Sequence, residues 1–134
     1  VKLFHIYLGL VVIETILLFY FSILPYPEGI DSAIGIKTTD KVKHFLAYAV
    51  YGILLKKVDE GRNKNTKMPL AVGIFVSLTT ELVQYLVPTR VSDVLDIAAN
   101  IGGVLSGLSL ILLFQPLKGY IKIGYNIVVK NPNY

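Results

Sequence analysis

The sequence predicts an all-α integral membrane protein built as a bundle of four transmembrane helices. Of its 134 residues, 54% are hydrophobic and 16% are charged, and the mean hydropathy is +0.62. Soluble domains are about 45–50% apolar and about 25% charged. The apolar excess falls in four runs near the length that spans a bilayer, at about residues 3–24, 41–57, 69–87 and 93–114.

The first two runs carry the signals of membrane helices. The first has about the 20 residues that a spanning helix needs, and Pro25 and Pro27 end it. The second is shorter, but lysines flank it on both sides. Lysine side chains can snorkel to the interface and extend such a helix to bilayer width. We therefore predict two spanning helices joined by an outer loop.

The last two runs are separated by a short turn. Pro69 suits the first turn of the third helix, and Pro88 ends it. Ser92 is a favourable N-cap for the fourth helix. Residues 115–134 alternate lysine, tyrosine and isoleucine, which predicts a short C-terminal interfacial tail. With this tail, the chain from 1 to 134 is expected to form a single domain.

The basic residues predict the orientation of the bundle. Cytoplasmic loops of membrane proteins carry an excess of lysine and arginine. With four spans, nine basic residues fall on the side of the termini and four on the other side. Both termini are therefore expected in the cytoplasm. Since topology accounts for the net charge of +4, we expect no nucleic-acid partner.

Polar side chains on three helices are predicted to meet near the outer face. They are Asp40, Lys41 and His44 on the second helix, Glu81 and Gln84 on the third, and Asp96 and Asn100 on the fourth. At a rise of 1.5 Å per residue, all lie within roughly 10 Å of the outer helix ends. Ionisable groups in a membrane helix are costly unless they face the protein interior or a wet cavity. We therefore predict an outward-opening polar pocket between these three helices.

These residue types suit acid–base chemistry. Glu81 and Asp96 could exchange protons, with His44 assisting and Asp40 orienting the imidazole. Alternatively, Asp40 caps its helix, and Glu81 forms a structural ion pair with Arg90 or Lys41. The sequence leaves both interpretations open, and so leaves open whether the protein is an enzyme.

Binding roles are predicted for the remaining polar residues. Arg90 and Lys41 at the outer mouth could hold an anionic head group, and Gln84 and Asn100 could hydrogen-bond a neighbour. Glu81, Asp96 and His44 could supply carboxylate and imidazole ligands to a divalent metal, but no HExxH spacing supports such a site. The chain has no cysteine, which excludes disulfides and zinc–thiolate sites. We accordingly predict no metal and no cofactor.

Four segments in this order resemble the VanZ-like family of bacterial membrane proteins, whose founder is linked to teicoplanin resistance. The segments are SILP at 22–25, DKVKHF at 40–45, ELVQ at 81–84 and PTRVSDVLDIAANIGGVLSG at 88–107. The resemblance covers about residues 20–108 and implies a bacterial cell-membrane location. It also implies that the family's polar positions here are Asp40, Lys41, His44, Glu81, Gln84, Arg90, Ser92, Asp96 and Asn100.

Three functions follow as hypotheses. The first is a protein that binds or modifies a lipid-linked cell-wall precursor, or another cell-envelope molecule, and lowers susceptibility to teicoplanin-type lipoglycopeptides. The second is a non-enzymatic accessory protein that binds a head group or the antibiotic. The third is a small proton-coupled transporter using Glu14 and Glu81. Membrane lipids are expected partners in each case, and the spaced glycines of the fourth helix leave a homodimer open.

Overall fold

The computed structural model describes residues 2–24, 38–60, 66–88, 90 and 93–130, with side chains for all but 38–39 and 116–130. These residues form four helices. They are α1 at Lys2–Ile23, α2 at Thr38–Glu60, α3 at Lys67–Tyr85 and α4 at Val94–Lys130. The predicted all-α class is confirmed.

Three helices are long and apolar enough to cross a membrane, namely α1, α3 and the part of α4 at Val94–Gln115. The remaining helix, α2, has 23 residues, but charged residues at both of its ends lower its mean hydropathy. Contacts show that α2 covers the same thickness as α4. At one end Lys41 binds Asp93, and at the other Gln115 donates to Glu60 over 2.7 Å. Helix α2 therefore runs beside the whole apolar part of α4, as the predicted second span would.

Successive helices alternate in direction. Tyr48 bonds Thr80, whereas Lys56 lies near Thr66, so α2 and α3 run antiparallel. Helix α1 is also antiparallel to α2, since Thr15 bonds Tyr51 whereas Ser22 lies beside the same cavity as His44. Helices α2 and α4 run parallel and share the most extensive contact in the bundle. This up-down-up-down order is the expected result of four spans joined by short connections.

The bundle encloses its polar side chains beside a small apolar core and exposes apolar side chains, as the third helix illustrates. Its buried face carries Ser77, Thr80, Glu81 and Gln84, which follow a 3–4 residue spacing. Its outer face carries the exposed apolar residues Phe75, Leu78, Leu82 and Tyr85. In water this pattern would be unfavourable, but lipid solvates apolar side chains and cannot hydrogen-bond polar ones. The exposed apolar surface is therefore the lipid-facing surface.

Glycines allow α2 and α4 to approach closely. A Cβ added at Gly103 would clash with the carbonyl oxygen of Phe45, and one added at Gly107 would clash with that of Ala49. The fully buried Val104 then packs against Gly52 of α2. Small residues play this role at membrane helix interfaces. Gly103 and Gly107, which the sequence analysis considered as a possible dimer contact, therefore pack α4 against α2 of the same chain.

The fourth helix is longer than predicted. It continues from Val94 to Lys130, so the segment that we expected to be an interfacial tail is helical through most of its length. This segment contains one proline and two glycines, each separated from the next by residues that favour a helix: Pro116, Gly119 and Gly124. A single proline or glycine need not end a helix. The apolar part still ends at Gln115, in agreement with the predicted span.

Alanine at Gly107 should weaken the bundle. The added Cβ would press on backbone atoms of Ala49, which cannot move aside cheaply. We expect Gly107→Ala to lower the free energy of unfolding in detergent by about 1–3 kcal/mol. Gly9→Ala is the matched control, because a Cβ at Gly9 has nothing within 4 Å. That variant should be neutral or more stable by up to about 1 kcal/mol. Equal effects of the two substitutions would contradict the close packing.

Candidate functional site

A buried amide joins three helices at the centre of the polar cluster. Asn100 of α4 is fully buried, and its Nδ2 donates to Glu81 Oε1 over 3.0 Å. Its Oδ1 lies 3.0 Å from His44 Nδ1. Since the amide nitrogen faces the carboxylate, the amide oxygen accepts from the imidazole N–H. One side chain of α4 therefore fixes the positions of a group on α2 and a group on α3.

Hydrogen bonding around Glu81 is incomplete. Only 3% of the residue is exposed, and its Oε2 has no hydrogen-bond partner among the described residues. His44 Nδ1 lies 3.8 Å from Oε1, which is beyond hydrogen-bond range and is an ionic contact only when the imidazole is protonated. The predicted alternative paired Glu81 with Arg90 or Lys41. The contacts of Glu81 in the structure are instead an amide and an imidazole.

A lysine links the outer ends of α2 and α4. Lys41 Nζ lies 2.6 Å from Asp93 Oδ2 and 2.9 Å from Asp96 Oδ1. Asp93 also accepts from the backbone N–H of Leu95 over 3.0 Å, so it caps α4. The predicted cap, Ser92, lies outside the described residues. The lysine ammonium thus lies between two carboxylates, one half-exposed and one buried.

Asp40 and His44 lie one turn apart on α2, as their spacing predicts. Their Oδ2 and Nε2 atoms are 3.9 Å apart, at the ion-pair limit and beyond hydrogen-bond range. Because His44 Nδ1 is bonded to Asn100, the Nε2 side of the ring faces Asp40. The imidazole therefore has one nitrogen in the buried network and the other on the side of Asp40.

A cavity of about 460 Å³ lies beside this network, between α1, α2 and α3. Its polar wall includes Asp40, Lys43 and His44, and its apolar wall includes Leu18 and Phe21. The sequence predicts a pocket between α2, α3 and α4. The location differs because close glycine packing fills the space between α2 and α4, and α1 completes the wall instead.

Arg90 attaches the end of α1 to the rest of the site. Its Nε donates to the Leu24 carbonyl over 2.9 Å, and a terminal nitrogen donates to the Phe21 carbonyl over 2.6 Å. These carbonyls belong to the end of α1, where a helix has unpaired acceptors and partial negative charge. The guanidinium therefore holds α1 in place while also lining the cavity.

The structure brings together eight of the nine residues predicted for the site. His44, Glu81 and Asn100 form the buried network, Lys41 and Asp96 form the adjoining ion pair, and Asp40, Gln84 and Arg90 line the cavity. Ser92 lies outside the described residues. Their catalytic and binding roles remain predictions.

Sequence reasoning missed the contribution of α1. Leu18 and Phe21 line the cavity, but in the sequence they belong to an ordinary apolar run. Ser22 also lines it and begins the SILP segment, but no site role was predicted for it. The sequence analysis also did not predict Thr80 as a site residue. Its hydroxyl bonds Tyr48 of α2. Thr80 lies one turn before Gln84, on the same face of α3. A threonine four residues before a polar residue was the available signal.

The fold and the site define a multi-pass membrane protein whose polar groups are enclosed within its helices. Residues 4–115 match the model of the VanZ/LLP1 family, and the chain belongs to that family. Comparison with curated proteins and with solved structures gave no significant match.

Replacing Asn100 with leucine should destabilise the bundle. The substitution keeps the approximate volume but leaves Glu81 and His44 without their amide partner. We expect the free energy of unfolding in detergent to fall by about 2–4 kcal/mol, as for buried polar groups that lose a partner.

The double variant Asn100→Leu/Glu81→Leu should recover part of this loss, because it also removes the stranded carboxylate. Ser106→Ala serves as the control, since its exposed hydroxyl bonds a carbonyl of its own helix. If Asn100→Leu is as stable as the control, the network contributes nothing to stability.

Proposed function

We propose that this chain binds a lipid-linked molecule of the cell envelope in the cavity between α1, α2 and α3. Through that binding it lowers susceptibility to teicoplanin-type lipoglycopeptides. The observation that carries the proposal is a cavity with one apolar wall and one charged wall. Membership of the VanZ/LLP1 family supports the link to teicoplanin.

The walls of the cavity suit an amphiphile. Leu18 and Phe21 offer contact to a hydrocarbon chain, while Lys43 and Arg90 offer positive charge to an anionic head group. A volume of about 460 Å³ lies within the about 300–1,000 Å³ of small-molecule sites. A lipid-linked phosphate combines both features. A soluble polar ligand would leave the apolar wall without a partner.

Two versions of this proposal differ in whether a reaction follows binding. In the enzymatic version His44 acts as a base through Nε2, because it lines the cavity and Nδ1 is already bonded. In the binding version the buried network only holds the helices in place. The hydrogen bond from Asn100 to Glu81 favours the binding version. In the enzymatic version Glu81 would carry a proton, but this bond already holds its carboxylate to a neighbouring helix.

A transporter is the weaker alternative. It requires a proton path that includes Glu14 and Glu81. Glu14 is half-buried on α1 and lies outside the set of residues that line the cavity. The two carboxylates are therefore not joined through this space.

The site is proposed to lie at the outer face, with both termini in the cytoplasm. The distribution of lysine and arginine supports this orientation.

The chain lacks cysteine, so single introduced cysteines can report on which side of the membrane each helix end lies. We expect a membrane-impermeant maleimide to label Val94→Cys in intact cells. Met68→Cys should react only after the cells are opened. Both side chains are exposed, at 78% and 64%, so burial does not distinguish them. The reverse pattern would place the site inside.

Filling the cavity should abolish protection against teicoplanin. We expect sensitive cells expressing the wild type to gain resistance and cells expressing Ala47→Phe to lose it, because the ring would occupy the cavity. Leu17→Phe is the matched control, since Leu17 is 40% exposed on the lipid side of α1. Minimum inhibitory concentrations would be compared at equal membrane levels of each protein.

The remaining outcomes separate the hypotheses. If Ala47→Phe protects as well as the wild type, the cavity is not the binding site. If the wild type gives no protection, the link to teicoplanin does not hold for this chain. If His44→Gln protects fully, the enzymatic version is wrong and the binding version stands.

A further inference from the structure

We propose that Asp40, His44 and Asp96 form a binding site for a divalent cation of the Mn²⁺ or Zn²⁺ type. Each residue offers one ligand atom, and these atoms all lie within 4.8 Å of one another. One imidazole nitrogen and two carboxylate oxygens are a ligand set that suits these ions. The proposal goes beyond the proposed function, since it holds whether or not the cavity takes a lipid.

The packing of α2 against α4 creates this ligand set. Asp40 and His44 are one turn apart on α2, and close contact at Gly103 brings the first turn of α4 beside them. Ligand atoms bound to one such ion at about 2.0–2.2 Å in tetrahedral geometry lie about 3.3–3.6 Å apart. His44 Nε2 and Asp40 Oδ2, at 3.9 Å, lie a few tenths of an ångström beyond that spacing. Rotation of the Asp96 side chain away from Lys41 would complete the ligand set, since the three ligand atoms already lie within 4.8 Å of one another.

The hydrogen bond of the other ring nitrogen is an independent reason to expect a metal ligand. His44 Nδ1 donates to Asn100 Oδ1, because Asn100 Nδ2 is directed to Glu81. In its neutral form His44 then carries its lone pair on Nε2, on the side of Asp40. Histidines that bind metals commonly donate their second N–H to an oxygen in this way, which fixes both tautomer and ring orientation.

Charge favours a cation at this position. The cluster contains the carboxylates of Asp40, Glu81, Asp93 and Asp96. The two carboxylate ligands, Asp40 and Asp96, face one ammonium in direct contact, that of Lys41 on Asp96. A divalent ion bound between the two carboxylates would balance their charge when Lys41 turns to Asp93.

Lys41 is the group that competes with the ion. Its ammonium lies 2.9 Å from Asp96 Oδ1 and 2.6 Å from Asp93 Oδ2. When Asp96 binds the ion, the lysine keeps its shorter contact with Asp93. The ion can reach the site through the cavity, since Asp40 and His44 are part of its wall. An ion on Nε2 would also occupy the atom that an acid–base role of His44 needs.

Direct metal binding tests the proposal. Purified protein in detergent, stripped with a chelator, would be titrated calorimetrically with Mn²⁺ and with Zn²⁺. We expect one ion per chain, and at least tenfold weaker binding for Asp40→Asn and for Asp96→Asn. Electron paramagnetic resonance of the Mn²⁺ form should show coupling to one imidazole nitrogen, which His44→Gln removes.

Two further variants guard against loss of folding as the explanation. Glu60→Gln removes a carboxylate near the opposite end of α2 and should change affinity less than threefold. Lys41→Gln removes the competitor and should bind the ion more tightly, which no misfolded variant would do. The proposal is overturned if neither ion binds, if Asp96→Asn binds as well as the wild type, or if Lys41→Gln binds more weakly.

Discussion

The whole arrangement depends on one constraint, which is that polar side chains within the membrane must find partners inside the protein. Asn100 of α4 provides such partners for two other helices, since its amide is hydrogen-bonded to His44 of α2 and to Glu81 of α3. Lipid offers no hydrogen bonds, so separating these helices would strand each group in an apolar medium. The network therefore stabilises the bundle against separation of its helices. It also sets the rotation of α3, because the buried polar residues of that helix lie on one face.

The glycine contacts and the polar network depend on each other. Gly103 and Gly107 let α4 lie directly against α2, which sets the height of Asp96 relative to Lys41. A larger separation would break that ion pair. Conversely, the polar contacts at the outer end fix which turn of α4 meets which turn of α2. Van der Waals packing supplies the proximity and the polar contacts supply the register, a division of roles typical of membrane helices.

The number of helices and the depth of the polar residues could be predicted from the sequence, because both follow from apolar length and the fixed rise of a helix. Individual partners could not. The spacing of Glu81 gives its depth but not the rotation of α3, so Arg90 and Lys41 were predicted as partners where the structure has Asn100. The cavity was placed on the wrong side of α2 for a related reason. The glycines indicate close approach, but the sequence does not say which neighbour approaches.

His44 lies where the two halves of the site meet. One nitrogen belongs to the closed network of Asn100 and Glu81, and the other faces Asp40 and the cavity. Any ligand or ion that engages the outer nitrogen therefore acts on an imidazole whose orientation the buried side has already fixed. Glu81 can influence the site without reaching the cavity, because its effect passes through a rigid amide. A buried carboxylate in this position can therefore act on a ligand only through its neighbours, whereas the residues of the cavity wall can meet a ligand directly.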